Sequence, residues 1–179
     1  MRALTPATRR RASGSRGQAL TEFALVAPIF FLLVFGIIEL GILFGGQNGL
    51  VASAREVARY AAPYRVITNV DATNVCNDTR LGEQLSTWLG VSIPGYNSTN
   101  VEARQVTYSW HTNPDGLTYY VQLEVHVSYH FPLYVPLVGL IIDRFDGTSD
   151  GSFLLDATEQ MRIENEDLDQ FYAPVTCTV

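Results

Sequence analysis

Residues 23–44 limit most strongly what this chain can fold into. They form a 22-residue apolar stretch whose one charged residue is Glu39. As an α-helix the stretch would be about 33 Å long, close to the thickness of a bilayer's hydrocarbon core. It exceeds the apolar core of a signal peptide, and no small-x-small cleavage site follows it. It is therefore expected to span a membrane and to stay there. Pro28 deletes one backbone hydrogen bond and is expected to bend the helix early, which a membrane helix tolerates when neighbours satisfy the freed groups.

Charge is segregated around this stretch. Residues 1–21 carry five arginines and no acid, whereas from Gln47 onward seven arginines face sixteen acidic residues, so the net charge of -6 hides a basic end and an acidic body. Arginines flanking a membrane helix remain on the cytoplasmic side, which places the N-terminus inside and the rest of the chain after the helix outside. An acidic exported body excludes nucleic acid as a natural partner, because phosphate backbones demand a basic footprint. Cys76 and Cys177 are the two cysteines, both on the exported side. In an oxidising compartment an even count points to one disulfide, with two reduced thiols as the alternative.

Two carboxylates mark the ends of the apolar run. Glu22 stands where the chain enters lipid, a costly place for an acid unless something uses it. Glu39 lies 17 residues later, about 25 Å along a helix axis, near the opposite interface. It reads either as a carboxylate snorkelling to the outer surface or as a helix-packing contact in an assembly. Gly41, Gly45 and Gly49 are four apart on one helical face, a spacing that lets a second helix approach closely. Gly36 and Gly46 lower helix propensity further.

The junction itself, Arg16-Gly17-Gln18-Ala19-Leu20-Thr21-Glu22-Phe23, resembles the processing site of Flp-type (type IVb) prepilins. Residues 21–28, 36–41 and 52–61 resemble TadE-like pseudopilins of tight-adherence systems, as do residues 125–133 and 157–164 more loosely. The related TadF and TadG proteins share the N-terminal pattern. Major Flp pilins are much shorter than this chain. The resemblance implies cleavage after Gly17 by prepilin peptidase, a mature chain beginning at Gln18, and Glu22 as its fifth residue, next to Phe23. In a filament of parallel helices it further implies that Glu22 neutralises the new α-amino group of a neighbouring subunit. An amine and a carboxylate buried together cost far less than either alone.

Beyond the membrane segment, Leu50, Ala54, Val57, Ala58 and Ala61 recur at helical spacing until Pro63 stops the helix. The division expected is a basic cytoplasmic leader (1–17), a transmembrane and spine helix (18–62) and an exported α+β domain (63–179). Arg55 and Arg59, four apart, need acidic partners or solvent. Residues 69–78 read as a polar loop. Residues 80–89 read as a short amphipathic helix with Leu81, Leu85, Trp88 and Leu89 on one side, ended by Gly90. Residues 91–100 read as a loop. Alternation of Val106, Tyr108 and Trp110, then of Val121 through Phe131, predicts a hairpin across the turn at 113–116. Residues 132–142 are apolar but too short to span, and read as a loop or short helix near the bilayer or a partner. Residues 153–163 read as a third strand, with a helix from 157 as the alternative. The fold class expected is α+β, a long N-terminal helix packed on a small antiparallel sheet, pilin-like.

Candidate ligand sites are weak. Glu124, His126 and His130 share a strand face with neighbours about 7 Å apart, wide for one ion. Asp143, Asp146 and Asp150 supply oxygens without EF-hand spacing. Glu159, Glu164, Glu166, Asp167 and Asp169 read as a solvated acidic tail or a docking surface. No nucleophile motif or phosphate-cradling loop is present, so neither an enzyme nor a cofactor or metal site is expected. The expected role is a minor pseudopilin of an Flp pilus in the bacterial cytoplasmic membrane. Its partners would be prepilin peptidase, other pilins and pseudopilins, and the inner-membrane assembly platform. The alternatives are an uncleaved single-pass scaffold of the same machine, or an exported adhesive or ligand-binding domain on a signal anchor.

Overall fold

The computed structural model describes residues 15–142, 144, 150–163 and 168–179. Four of the leader's five arginines, together with Asp143, Asp146, Glu164, Glu166 and Asp167, lie outside the described residues. One helix, α1 (Ser15–Ala61), runs 47 residues, continuous through Pro28, which is about 70 Å. Its two halves meet different surroundings. From Leu20 to Leu40 most of its large apolar side chains point outward, whereas Leu43, Leu50, Ala54, Val57, Ala58 and Ala61 are buried. The second stripe recurs every three or four residues, so one face of the helix enters a core.

That core lies between α1 and a four-stranded antiparallel sheet of order β3-β2-β1-β4. The strands are β1 (Val101–Thr112), β2 (Tyr119–Pro132), β3 (Ser152–Arg162) and β4 (Val175–Thr178). Val106, Tyr108 and Trp110 of β1 and Val121, Leu123, Val125, Val127, Tyr129 and Phe131 of β2 are buried. Period two puts all of them on the face that packs against α1. The expected hairpin is present, with Val106 opposite Val125 and Trp110 opposite Val121. Its turn is held by Asn113, whose N–H donates to the carbonyl of Thr118 at 2.8 Å. Gly116 there takes φ +70°, a conformation a side chain would oppose. Residues 152–162 form the third strand, not a helix, with Val127 opposite Ala157.

The connection between α1 and the sheet differs from the sequence reading. Residues 69–76 are a helix, α2 (Asn69–Cys76), where a loop was expected. A capping box starts it: Thr68 Oγ1 accepts from Asp71 N, and Asp71 Oδ2 accepts from Thr68 N at 2.9 Å. This pair satisfies N-terminal donors that the polar composition alone does not reveal. The next helix, α3 (Thr79–Ser92), passes through Gly90 and ends at Ile93, just before Pro94. Proline, not glycine, is the stop. Leu81, Leu85 and Leu89 are fully buried, while Trp88 is exposed. Between β2 and β3 lies α4 (Pro136–Ile142). β4 carries no sequence signal: its four residues pair with Gln105–Tyr108 of β1, too few to show a period.

Candidate functional site

The N-terminal end of α1 presents its processing-type segment openly. Gly17, Gln18, Leu20, Glu22 and Phe23 are all exposed. Gln18 Nε2 donates to Glu22 Oε1 at 2.9 Å, one helical turn away. Thr21 Oγ1 donates to the Gln18 carbonyl at 2.8 Å. The segment that the sequence singles out is therefore a regular, accessible helix, and Glu22 is free of tertiary contact with the folded domain among the described residues.

Glu39 behaves differently. It is 1 % exposed in a stretch whose large apolar neighbours Ile38 and Leu40 are exposed. Its Oε1 accepts the backbone N–H of Tyr134 at 2.8 Å and its Oε2 that of Val135 at 3.1 Å. Neither expected reading, a snorkelling acid or a contact between subunits, describes this. The carboxylate ties the apolar half of α1 to the segment that leads into α4. No sequence signal links positions 95 apart, because the partner atoms are backbone donors common to every non-proline residue.

The glycine stripe divides in two. A Cβ on Gly49 would sit 2.3 Å from the carbonyl oxygen of Ser92, so Gly49 is where α1 and the end of α3 touch backbone to backbone. A Cβ at Gly41 or Gly45 would meet nothing within 4 Å. These two positions line an open groove of about 560 Å³ with Ile37, Ile38 and Tyr134. Gly46, which the sequence marks only as a weak helix former, accommodates the ring of Phe131: a Cβ would lie 2.6 Å from its Cε2. On the opposite flank of the helix, Leu32, Gly36 and Leu40 face Val138, Ile141 and Ile142 of α4 across an apolar cleft of about 410 Å³.

Cys76, at the end of α2, and Cys177, in β4, form a disulfide with Cα atoms 5.7 Å apart and 101 positions of separation. It fastens the short edge strand to the helical layer. The outer face of the sheet is a network of paired polar side chains. His126 Nε2 lies 3.1 Å from Asp156 Oδ1, which also accepts from Ser128 Oγ at 2.6 Å. Glu124 accepts from Gln160 at 2.6 Å, and His130 Nδ1 lies 3.0 Å from Ser152 Oγ. Glu124, His126 and His130 thus each hold a different partner on β3. Glu159 is no tail residue: it stands in β3 and pairs with Arg55 at 2.9 Å, which docks the sheet edge onto α1. Arg59 pairs along the helix with Glu56 at 3.2 Å. Asp169 is exposed, and Asp150 accepts from the N–H and hydroxyl of Ser152.

Together these features define a class: an α+β domain built around the far half of a helix whose near half is long and apolar enough to cross a membrane. The family model described as TadE-like protein matches residues 17–59, so α1 from the glycine junction to two residues short of its end is similar to that family, as the sequence resemblance implies. No curated protein and no solved structure matches the chain significantly.

Proposed function

We propose that the protein is a minor pseudopilin that assists assembly of an Flp-type pilus, a structural and non-enzymatic role. In this reading α1 is inserted with its basic leader in the cytoplasm, prepilin peptidase cuts after Gly17, and residues 63–179 are exported. The observation that carries the proposal is the coincidence of the TadE-like match with one continuous helix. That helix runs through the glycine junction, exposes Glu22, and ends as the spine of the folded domain. Cleavage would create an amine four residues before an accessible carboxylate. Helices packed side by side could then pair these charges between subunits, which sets register as well as energy. Gly41 and Gly45, open on one flank, would admit a neighbouring helix of another pilin or of the assembly platform.

N-terminal sequencing of the protein purified from membranes tests this directly. A mature start at Gln18, and accumulation of uncut chain for Gly17→Phe, are the expected results. An intact leader on the assembled protein would instead support an uncleaved scaffold of the same machine. Binding of a surface or glycan by the exported domain, with no effect of its loss on piliation, would support an adhesive domain on an anchor.

A further inference from the structure

The segment between β2 and β3 has a polarity that suits neither a water-exposed loop nor the core. Tyr134 is 51 %, Leu140 66 % and Ile141 53 % exposed. Seven residues of helix cannot cross a bilayer. Yet α4 does not stand among polar elements: across the 410 Å³ cleft it faces Leu32, Gly36 and Leu40 of the membrane-length stretch. If residues 23–44 fill the hydrocarbon layer, Gly36 lies about 12 Å below its boundary on the domain side. Leu32 lies deeper still. A helix that lines one cleft with these residues cannot be wholly in water while they are in lipid.

We propose that α4 and the Tyr134–Val135 connection are embedded among acyl chains of the leaflet nearest the folded domain, forming a second apolar anchor beside α1. This rests on the reading that α1 spans the membrane. Glu39 makes the arrangement chemically complete. Irregular backbone at membrane depth would leave N–H groups unsatisfied, with no water to take them. Here the two N–H groups that precede α4 are taken by the two oxygens of one carboxylate. The same contact hides that carboxylate from lipid, so two groups unfavourable in hydrocarbon cancel. The outward residues Leu140 and Ile141 of α4 stand beside the exposed apolar side chains of Leu32 and Leu40 that line the same cleft, and the half-exposed Tyr134 ring suits the headgroup boundary.

The test is collision accessibility of nitroxide labels on the full chain, disulfide intact, in phosphatidylcholine–phosphatidylglycerol vesicles. Labels are attached at L140C and I141C, with L33C as the span reference and L117C as the aqueous reference. Leu117, in the hairpin turn, lies at the far end of β2, about 45 Å along the strand from Pro132. The expected result is an oxygen-to-nickel-chelate ratio at 140 and 141 several-fold above that at 117 and close to that at 33. A ratio at 140 and 141 matching 117, while 33 remains lipid-like, would overturn the proposal alone. Shielding of 140 and 141 from both quenchers would also overturn it, since a second protein chain would then cover α4. A water-like ratio at 33 would instead remove the spanning reading beneath it.

Discussion

Glu39 and Tyr134, 95 positions apart, meet at 2.8 Å where the carboxylate of the apolar helix accepts a backbone N–H of the sheet domain. This contact and its twin to Val135 fix how the folded domain sits on α1 at the level where outward-facing apolar residues give way to the core. Below Glu39 the helix belongs to its surroundings; above it, the helix belongs to the sheet.

Replacing Glu39 tests that linkage. Hydrogen bonds to a charged group contribute about 1.5–3 kcal/mol each, and an orphaned buried N–H adds its own penalty. Glu39→Ala is therefore expected to lower the unfolding free energy of the full chain in detergent by about 3 kcal/mol. Glu39→Gln, which keeps one acceptor, should lose roughly half as much. Denaturant titration followed by near-ultraviolet circular dichroism reads the difference. Equal stability of all three chains would show that the contact contributes nothing.

The three stripe glycines should separate. Gly49→Ala drives a Cβ into the carbonyl of Ser92, backbone that cannot swing aside. A loss of about 1–3 kcal/mol is expected from the forced shift of α1 against α3. Gly41→Ala and Gly45→Ala meet open space and should leave the subunit's stability undiminished. If these two variants nevertheless reduce pilus assembly in a piliation assay, the groove they line is a contact between subunits.

The Cys76–Cys177 bridge closes a loop of 101 positions. Its removal by Cys76→Ser with Cys177→Ser should cost about 2–5 kcal/mol. The loss should appear first where the bridge acts. Amide exchange in α2 and β4 should accelerate well before exchange in β2, which is paired on both sides. Uniform acceleration across the sheet would contradict a local clamp.

Asp71 gives α2 a pH dependence. Hydrogen bonds from the backbone N–H of Thr68, its hydroxyl and the N–H of Ile67 hold the carboxyl below the usual 3.8. A depressed folded pKa means stability that is complete above the ordinary value and is lost as pH falls through the lower folded one. Asp71→Asn should therefore destabilise by about 1 kcal/mol at neutral pH. The gap to the wild type should narrow as pH drops below 3.8, measured by thermal unfolding across that range.

Tyr108 is fully buried, and its hydroxyl has no hydrogen-bond partner among the described residues. Burial pushes its pKa well up from the ordinary 10.0. Removing an unsatisfied polar atom while keeping the ring relieves a desolvation penalty. Tyr108→Phe should thus be neutral or stabilising by up to about 1 kcal/mol in the same unfolding assay. A clear destabilisation would mean that the hydroxyl is bonded in solution.

The sequence alone determined what depends on periodicity and on polarity along the chain. The length of the apolar run, the helical stripe from Leu50 to Ala61, the alternation through β1 and β2, and the glycine junction are all local patterns. They translate directly into a membrane-length helix and a one-faced sheet, because a buried face must repeat at 3.6 or 2.0 residues. Short elements escaped this reading. α2 depends on a capping box rather than an apolar stripe, and β4 is four residues long, held by pairing and a disulfide. Only tertiary structure decided the roles of single residues whose partners are distant. It placed Glu39 on the backbone of Tyr134 and Val135, put Glu159 on Arg55, set Phe131 over Gly46, and divided the glycine stripe between Ser92 and open space. Each of these is a meeting of two surfaces separated by many residues. Local pattern gives each surface its character, but packing alone determines which atoms on them touch.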